Sequence, residues 1–400
     1  MMGHPGRRKA VRPDEPDGPR VERDGPIWRI RSLEAARQVL RARDRTTQAG
    51  FTAEQIPRGF FRRHPILISD GALHDEQRRS LARLFAPNVV SERYAALMES
   101  TAEDMIAEAV RAGRCRLDDL ALHYAVAVTA EVVGLTSSPV PAMSRRLTRF
   151  FRQPPFDLAR PRLGRTKRQL MGAAYNGLSP VLRFYLADVL PAVRDHRRRP
   201  RNDVISQLLD QGAGRADILV ECVTYGTAGM VTTREFISMA CWHLLEDDPL
   251  RARYLAAGQD ERLGILHEII RLEPVVGHLY RRVRDHITVS DEGREHHLAP
   301  GDLVDIDVRG ANADPASVGT APLELCPGRT LPRGIGASGL SFGDGAHRCP
   351  GRSLALLETD ALLTRLLAQE PTILAEPSLG WDELFAGYRL RGSELRLGSA

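Results

Sequence analysis

Phe342-Gly343-Asp344-Gly345-Ala346-His347-Arg348-Cys349-Pro350-Gly351 sets one cysteine in a glycine-rich turn, and the apolar residues after it, Leu354, Ala355, Leu357, Ala361 and Leu362, recur at helical spacing. Cys349 is thereby delivered to the N-terminus of a helix, where the dipole and the free backbone N–H groups favour negative charge. Read from the sequence alone, its thiol has a lowered pKa and stands ready as a thiolate. The glycines let the backbone wrap close to the sulfur so that amides can point at it. The Gly-x-Gly is no dinucleotide fingerprint, because Arg348 occupies the place of the third glycine and no nucleotide-type βαβ unit surrounds it.

Outward from this loop, the chain reads as a large helical body with a small β portion toward its two ends. Upstream, the stretch from Ala216 to Glu246 has no proline and predicts one long helix. Tyr94, Leu97, Met98, Met105, Ile106 and Ala109 follow the three-and-four spacing of another. Val304, Ile306 and Val308 alternate with Asp305 and Asp307 as in a strand. Ile27-Trp28-Arg29-Ile30 predicts a strand that leads, through Ser32 as N-cap, to a helix carrying Leu33, Ala36, Val39 and Leu40 on one side. Residues 1–26 are rich in Gly, Pro, Arg and Asp without hydrophobic period and read as a flexible leader.

The bulk chemistry narrows the function classes. With 42% hydrophobic and 27% charged residues, most of the chain is globular rather than disordered. The net charge of +5 is carried by arginine, since Lys occurs only at Lys9 and Lys167. Without zinc-finger spacing or aromatic-basic interleaving, this points to a basic face for an acidic protein partner and away from nucleic acid. Cys115, Cys222, Cys241 and Cys326 read as small buried hydrophobes. With Cys349 they make an odd set without a C-x-x-C pair, which argues against a disulfide scaffold and fits a reducing cytoplasm. No apolar run is long enough to span a bilayer, so no membrane association is expected.

The ten residues from Phe342 to Gly351 resemble the F-G-x-G-x-H-x-C-x-G signature of the cytochrome P-450 family, a pattern with many fixed positions. The resemblance implies that Cys349 is the axial ligand of the iron of haem b (iron protoporphyrin IX). Phe342, Gly343 and Gly351 would shape the loop around it, and His347 would meet a haem propionate. A thiolate on haem iron pushes electron density onto the metal and favours O–O cleavage.

Further segments match the family in the same order. His74 and Arg78, one helical turn apart, resemble its H-x-x-x-R propionate contact, which suits a carboxylate held by Arg. Glu268 and Arg271 share a helix face and resemble its buried E-x-x-R pair, which is implied to lock the core around the cysteine loop. Outside this context such a pair is usually a surface ion pair of small worth. A second propionate arginine is expected at Arg281 or Arg282, with Arg281 preferred, and Ala311-Asn312-Ala313-Asp314-Pro315 resembles A-N-R-D-P with Ala313 in place of Arg.

Ala228-Gly229-Met230-Val231-Thr232-Thr233 resembles A-G-x-[DE]-T-[TS]. There Gly229 is implied to open room over the haem and Thr232 to help deliver protons during oxygen activation. The plain alternative is a threonine bonding back to the carbonyl one turn earlier. Val231 stands at the acidic position, which leaves the proton donor open among a substrate hydroxyl, ordered water and Glu235 one turn on.

The resemblance runs from about Ile27 to Leu397 and implies a triangular, mainly α-helical fold with a small β portion around a buried haem, residues 27–400 forming one haem domain. It implies a monomeric monooxygenase inserting one atom of O2 into a C–H bond of a small organic substrate, a secondary-metabolite intermediate that is free or carrier-bound. NAD(P)H-derived electrons would come through a separate ferredoxin and ferredoxin reductase, met by Arg79, Arg348 and Arg352. The pocket is expected from segments 60–69, 150–156, 223–232, 275–279 and 385–388. Haem-thiolate chemistry of another outcome (oxidative coupling, desaturation or peroxide-driven oxidation) and a non-catalytic haem sensor are the rival readings.

Overall fold

Ser32 caps the first helix as its position predicts. Its hydroxyl accepts from the Ala35 N–H at 3.2 Å, and helix Leu33–Arg41 buries Leu33, Ala35, Ala36, Val39 and Leu40. This computed structural model describes residues 7–12, 18–50, 64–151, 165–382 and 385–398. Its strands are β1 (Val21–Asp24), β2 (Ile27–Ile30), β3 (Thr46–Gln48), β4 (Arg114–Arg116), β5 (His278–Val283), β6 (Ile287–Asp291), β7 (Arg294–Leu298), β8 (Leu303–Asp307), β9 (Thr372–Ala375), β10 (Ser378–Asp382), β11 (Gly387–Arg391) and β12 (Glu394–Arg396). Five of them form a sheet in the order β1-β2-β8-β5-β3, with β2 and β8 parallel and the other pairs antiparallel. The remaining seven make two hairpins, β6-β7 and β10-β11, and the three-stranded β4-β12-β9.

The strand predicted around Val304 ends one residue early, because Asp307 caps a short helix by accepting from the Gly310 N–H at 2.8 Å. Nor does its alternation separate an apolar face from a wet one. Asp305 and Asp307 are buried too, Asp305 accepting from the His278 ring at 2.6 Å. A buried carboxylate is tolerated where it is paired, which the period alone cannot reveal.

The first 26 residues differ from the flexible leader that composition predicts, since their described parts are docked. Val21–Asp24 is an edge strand on β2, and Arg20 grips Asp291 through Nε at 3.0 Å and Nη2 at 2.8 Å. Ala10 is fully buried, its N–H donating to Glu273 at 3.2 Å, while Arg8 Nε donates to the Leu272 carbonyl at 2.8 Å. Attachment through hydrogen bonds and ion pairs needs no apolar period, so hydrophobic periodicity does not register it.

The helical body holds the main core. Helix Ala95–Ala112 turns Met98, Ala102, Ile106 and Ala109 inward and stops at Gly113, whose φ of 69° is left-handed. Helix Leu117–Val133 is buried on nearly all sides and packs against the central helical run. That run extends from Arg215 to Glu246 but is not one α-helix. It is α over Arg215–Tyr225 and Thr232–Glu246, and π between them over Gly226–Val231. Such bulges gather at functional sites. Here two glycines let neighbours approach the widened turn: a Cβ on Gly226 would stand 3.0 Å from Leu147, and one on Gly229 3.2 Å from Thr129.

Candidate active site

Between the π turn and the cysteine loop lies a cavity of about 280 Å3, lined by Cys349, Phe342, Gly343, His347 and Gly351 from the loop and by Gly229 and Thr232 from the central run. His74, Arg78 and Arg281 line it as well. The candidate residues for cofactor and catalysis therefore meet on one cavity, although they are spread over most of the sequence.

The loop is built from short backbone contacts. The Cys349 N–H donates to the Phe342 carbonyl at 2.8 Å, and the Gly343 N–H to the Leu340 carbonyl at 2.7 Å. Asp344 accepts from the Gly345 N–H at 2.8 Å and pairs with Arg37 at 3.0 Å and Arg41 at 3.1 Å. Both glycines are left-handed, with φ of 67° at Gly343 and 65° at Gly345. Around Gly343 a Cβ has ordinary space, whereas at Gly345 it would stand 2.2 Å from the Leu40 carbonyl oxygen. Gly343→Ala is expected to cost about 1 kcal/mol from backbone strain, and Gly345→Ala about 1–3 kcal/mol more from the overlap. Parallel urea titrations of the two variants measure the difference, and equal midpoints would show that the contact with Leu40 yields freely.

Cys349 differs from expectation in one respect. Burial pushes its thiol up, and the opposing pull of the Gly351 N–H, Arg78 and Arg352 does not overcome this. The side chain is exposed where it borders the cavity but crowded by protein elsewhere. A helix N-terminus alone is too weak to hold the thiolate there, whereas a coordinated cation deprotonates a thiol outright.

The rim of the cavity carries more positive charge than it balances. His74 and His347 stack with ring centres 4.1 Å apart, and His347 Nε2 lies 3.1 Å from Asp70 Oδ1. Burial, with His347 and Arg78 nearby, lowers His74 to about 4. Arg281 is 4% exposed, and burial lowers it to about 10 against the attraction of Asp70. Arg282 points elsewhere, donating to the Gly301 carbonyl at 3.0 Å. Strand alternation puts Arg281, and not Arg282, on the cavity.

On the opposite wall the Thr232 hydroxyl donates back to the Ala228 carbonyl, the common mid-helix arrangement. Val231 is buried and does not line the cavity. Glu235 is withdrawn from any proton path. It is fully buried, paired with Arg234 at 2.6 Å and Arg391 at 2.8 Å, and it accepts from the Leu390 N–H at 2.9 Å. Gly229 lines the cavity, yet its closest neighbour is Thr129, so helix packing constrains it as well.

Glu268 and Arg271 form a bidentate pair at 2.7 Å through both ε oxygens, with Arg271 fully buried. Sequence reasoning missed the role of Asn312. Its amide donates to the Arg271 carbonyl at 3.0 Å and to Ser341 Oγ at 2.9 Å, and its oxygen accepts from the Leu340 N–H at 2.7 Å. One side chain thus ties the buried pair to the start of the cysteine loop. It missed Glu358 too, a buried carboxyl on the cavity wall.

The profile of the cytochrome P-450 family matches residues 264–369, from the Glu268–Arg271 helix through the cysteine loop and its helix. Over this segment the chain is similar to the cytochrome P-450 family. It is 34% identical over 202 residues to Cytochrome P-450 144 of Mycobacterium tuberculosis, covering 49% of this chain and 44% of that one. It is 28% identical over 173 residues to 20-oxo-5-O-mycaminosyltylactone 23-monooxygenase of Streptomyces fradiae, covering 42% of this chain and 39% of that one. These matches span less than half the length of either relative. The post-tailoring hydroxylase HmtN of himastatin biosynthesis superposes with a TM-score of 0.74 at 21% identity, covering 97% of this chain and 95% of that one.

P-450 enzymes carry haem, use O2 and take reducing equivalents from redox partners. The residues present fit that group. Cys349 offers a soft sulfur ligand, and a rim with Arg78 and Arg281 as cations and the His74 and His347 rings beside them suits the carboxylates of such a group. The rest of the wall is largely apolar, as a porphyrin face requires. All five cysteines are free, and among the described residues no helix is long and apolar enough to cross a membrane.

Proposed function

We propose that this P-450 is a haem-thiolate monooxygenase that inserts one oxygen atom from O2 into a C–H bond of a small organic substrate. The observation that carries this reading is the placement of Cys349 and Thr232 on one cavity with a cationic rim. Haem ligated by Cys349 would supply the oxygen activation. The chain's own side chains do the rest: Arg281, Arg78 and the stacked His74–His347 pair hold carboxylates, and the π turn at Gly226–Val231 shapes the distal wall. Ile66, Phe151, Val275, Leu279 and Phe385 present an apolar surface that orients substrate and excludes water. The expected pocket positions 60–63 and 152–156 lie outside the described residues.

A secondary-metabolite intermediate is the substrate class we favour, supported by the named reaction of the Streptomyces relative. Electrons would arrive in the cytoplasm from a ferredoxin and its NAD(P)H-dependent reductase. Arg79 and Arg348, both exposed, offer that acidic partner a basic surface. Val231 and the sequestered Glu235 favour a second reading, in which the haem-thiolate chemistry ends in coupling or desaturation.

The deciding experiment is the carbon monoxide difference spectrum of the reduced protein. A red-shifted Soret band is expected. A band typical of histidine ligation, or no bound haem, would end this proposal. Product mass then separates the two readings, since insertion adds oxygen and desaturation does not.

A further inference from the structure

Residues 8–12 lie where the end of helix Gln259–Leu272, the last turns of helix Thr232–Glu246 and the β10–β11 hairpin come together. Arg8 donates through Nε to the Leu272 carbonyl at 2.8 Å and through Nη2 to the Arg309 carbonyl at 3.0 Å. Lys9 pairs with Glu246 and sits 4.7 Å over the Trp242 ring. The N–H groups of Lys9 and Ala10 both donate to Glu273, which is fully buried and also meets His243 at 3.1 Å. Arg309 in turn donates to the Ala10 carbonyl. Segments near a terminus are loose unless tied down, and this one is tied by charge-assisted bonds to a buried carboxylate.

Both anchors of the segment lead to the cavity. Glu273 stands two residues before Val275, where the wall of Val275, Val276 and Leu279 begins. Its carbonyl accepts from the Tyr388 hydroxyl on β11 at 3.3 Å. Opposite Tyr388 on β10 is Trp381, whose ring has the Arg12 guanidinium 5.7 Å and the Arg309 guanidinium 5.2 Å from its centre. The loop of this hairpin carries Phe385, which lines the cavity and meets Phe151 edge-on with ring centres 5.8 Å apart. The Gly277 N–H donates to the Phe385 carbonyl at 3.3 Å. A Cβ on Gly277 would overlap the Ala386 carbonyl, and one on Gly387 the Val275 carbonyl, so wall and hairpin are in close backbone contact.

We infer that residues 8–12 are a positioning strap for the substrate pocket: by holding Glu273 and Trp381 they set where the 275–279 wall and Phe385 stand, and so which bulky substrates the cavity admits. The inference rests on the haem-thiolate reading, which makes this cavity the substrate pocket. The strap touches neither Cys349 nor the cationic rim, so its effect falls on the substrate side and leaves the iron ligand alone. Loosening it frees the wall to shift, and a ligand that packs on the wall loses contact while a small one is indifferent.

Two nitrogen ligands of the haem iron, imidazole and 4-phenylimidazole, read this difference on the haem-loaded protein without turnover. The variants are a chain lacking residues 1–12 and Ala10→Glu, which sets a second carboxylate beside Glu273 at a fully buried position and leaves the body of the protein intact. Both should keep the red-shifted carbon monoxide band and bind imidazole as the wild type does. Both should bind 4-phenylimidazole about threefold to tenfold more weakly, the worth of an aromatic contact. A peptide of residues 1–17 added to the shortened chain should restore the wild-type ratio. Amide hydrogen exchange, which needs no haem, should quicken about tenfold over 275–279 and 387–391 in both variants and stay unchanged in helix Ala95–Ala112. Unchanged exchange, or a 4-phenylimidazole affinity that moves no more than that of imidazole, overturns the strap. Absence of the red-shifted band from the wild type overturns the haem-thiolate reading instead, and exchange then decides the strap by itself.

Discussion

Glu268→Ala is expected to lower stability by about 3–5 kcal/mol, the range found when one partner of a buried ion pair is removed. The reason lies in how many donors converge on one carboxylate. Besides the two bonds from Arg271, Glu268 Oε1 accepts from Arg329 Nε and from the Cys326 N–H, each at 3.1 Å. Alanine would leave the fully buried Arg271 guanidinium without its counter-ion, and Arg329 Nε and the Cys326 N–H without their acceptor. Arg271 Nη1 also reaches the Asn312 carbonyl at 2.6 Å, and Asn312 holds Leu340 and Ser341, so the disturbance leads to the cysteine loop. Arg271→Ala should cost less, because Glu268 keeps Arg329. Urea unfolding of the variants measures both, as a lower midpoint at unchanged slope. A loss under about 1 kcal/mol for Glu268→Ala would place the pair with exposed salt bridges and remove its role as the lock of the loop.

What could be read in advance, and what could not, follows from the range of the interactions. The cysteine loop and the Glu268–Arg271 pair are written in contiguous residues, so spacing suffices to find them. Arg281 and Arg282 are also contiguous, but which one faces the cavity depends on the register of β5 against β8, where Arg281 lies opposite Val304 and Arg282 opposite Leu303. That pairing joins segments remote in the chain. Glu358 was hidden for a related reason. In Leu356-Leu357-Glu358-Thr359-Asp360 an acid within a helix reads as its wet side, yet Glu358, Thr359 and Asp360 are all buried. The partners of Asp360, Tyr254 and Arg262, come from other helices. Glu235 was misjudged likewise, since Arg391, which helps hold it, lies on β11 at the far end of the chain. The glycines of the π turn at Gly226–Val231 are approached by Leu147 and Thr129, neither of which is local to the turn.

Cys349→Ala and Arg281→Leu should fail in opposite ways, and the contrast separates the iron ligand from the cradle that holds the rest of the haem. With alanine at 349 the cavity and its cationic rim remain, so haem uptake is expected to weaken while the red-shifted carbon monoxide band is lost entirely. With leucine at 281 the sulfur remains and the band should persist. Haem should nonetheless leave about tenfold to a hundredfold faster, the equivalent of the roughly 1.5–3 kcal/mol of a hydrogen bond to a charged group. The haem-free protein should respond with the opposite sign. Arg281 is 4% exposed and, with a pKa of about 10, still charged at neutral pH. Without a propionate its desolvation cost is offset only in part, by Asp70 and the Tyr280 carbonyl, so leucine should raise the melting temperature of the haem-free chain while shortening haem retention. Haem transfer to apomyoglobin gives the release rate, and thermal melts of the haem-free proteins give the second sign. If Arg281→Leu melts lower and keeps haem as long as the wild type, Arg281 is a structural cation and the carboxylate cradle must be sought among Arg78, His74 and His347.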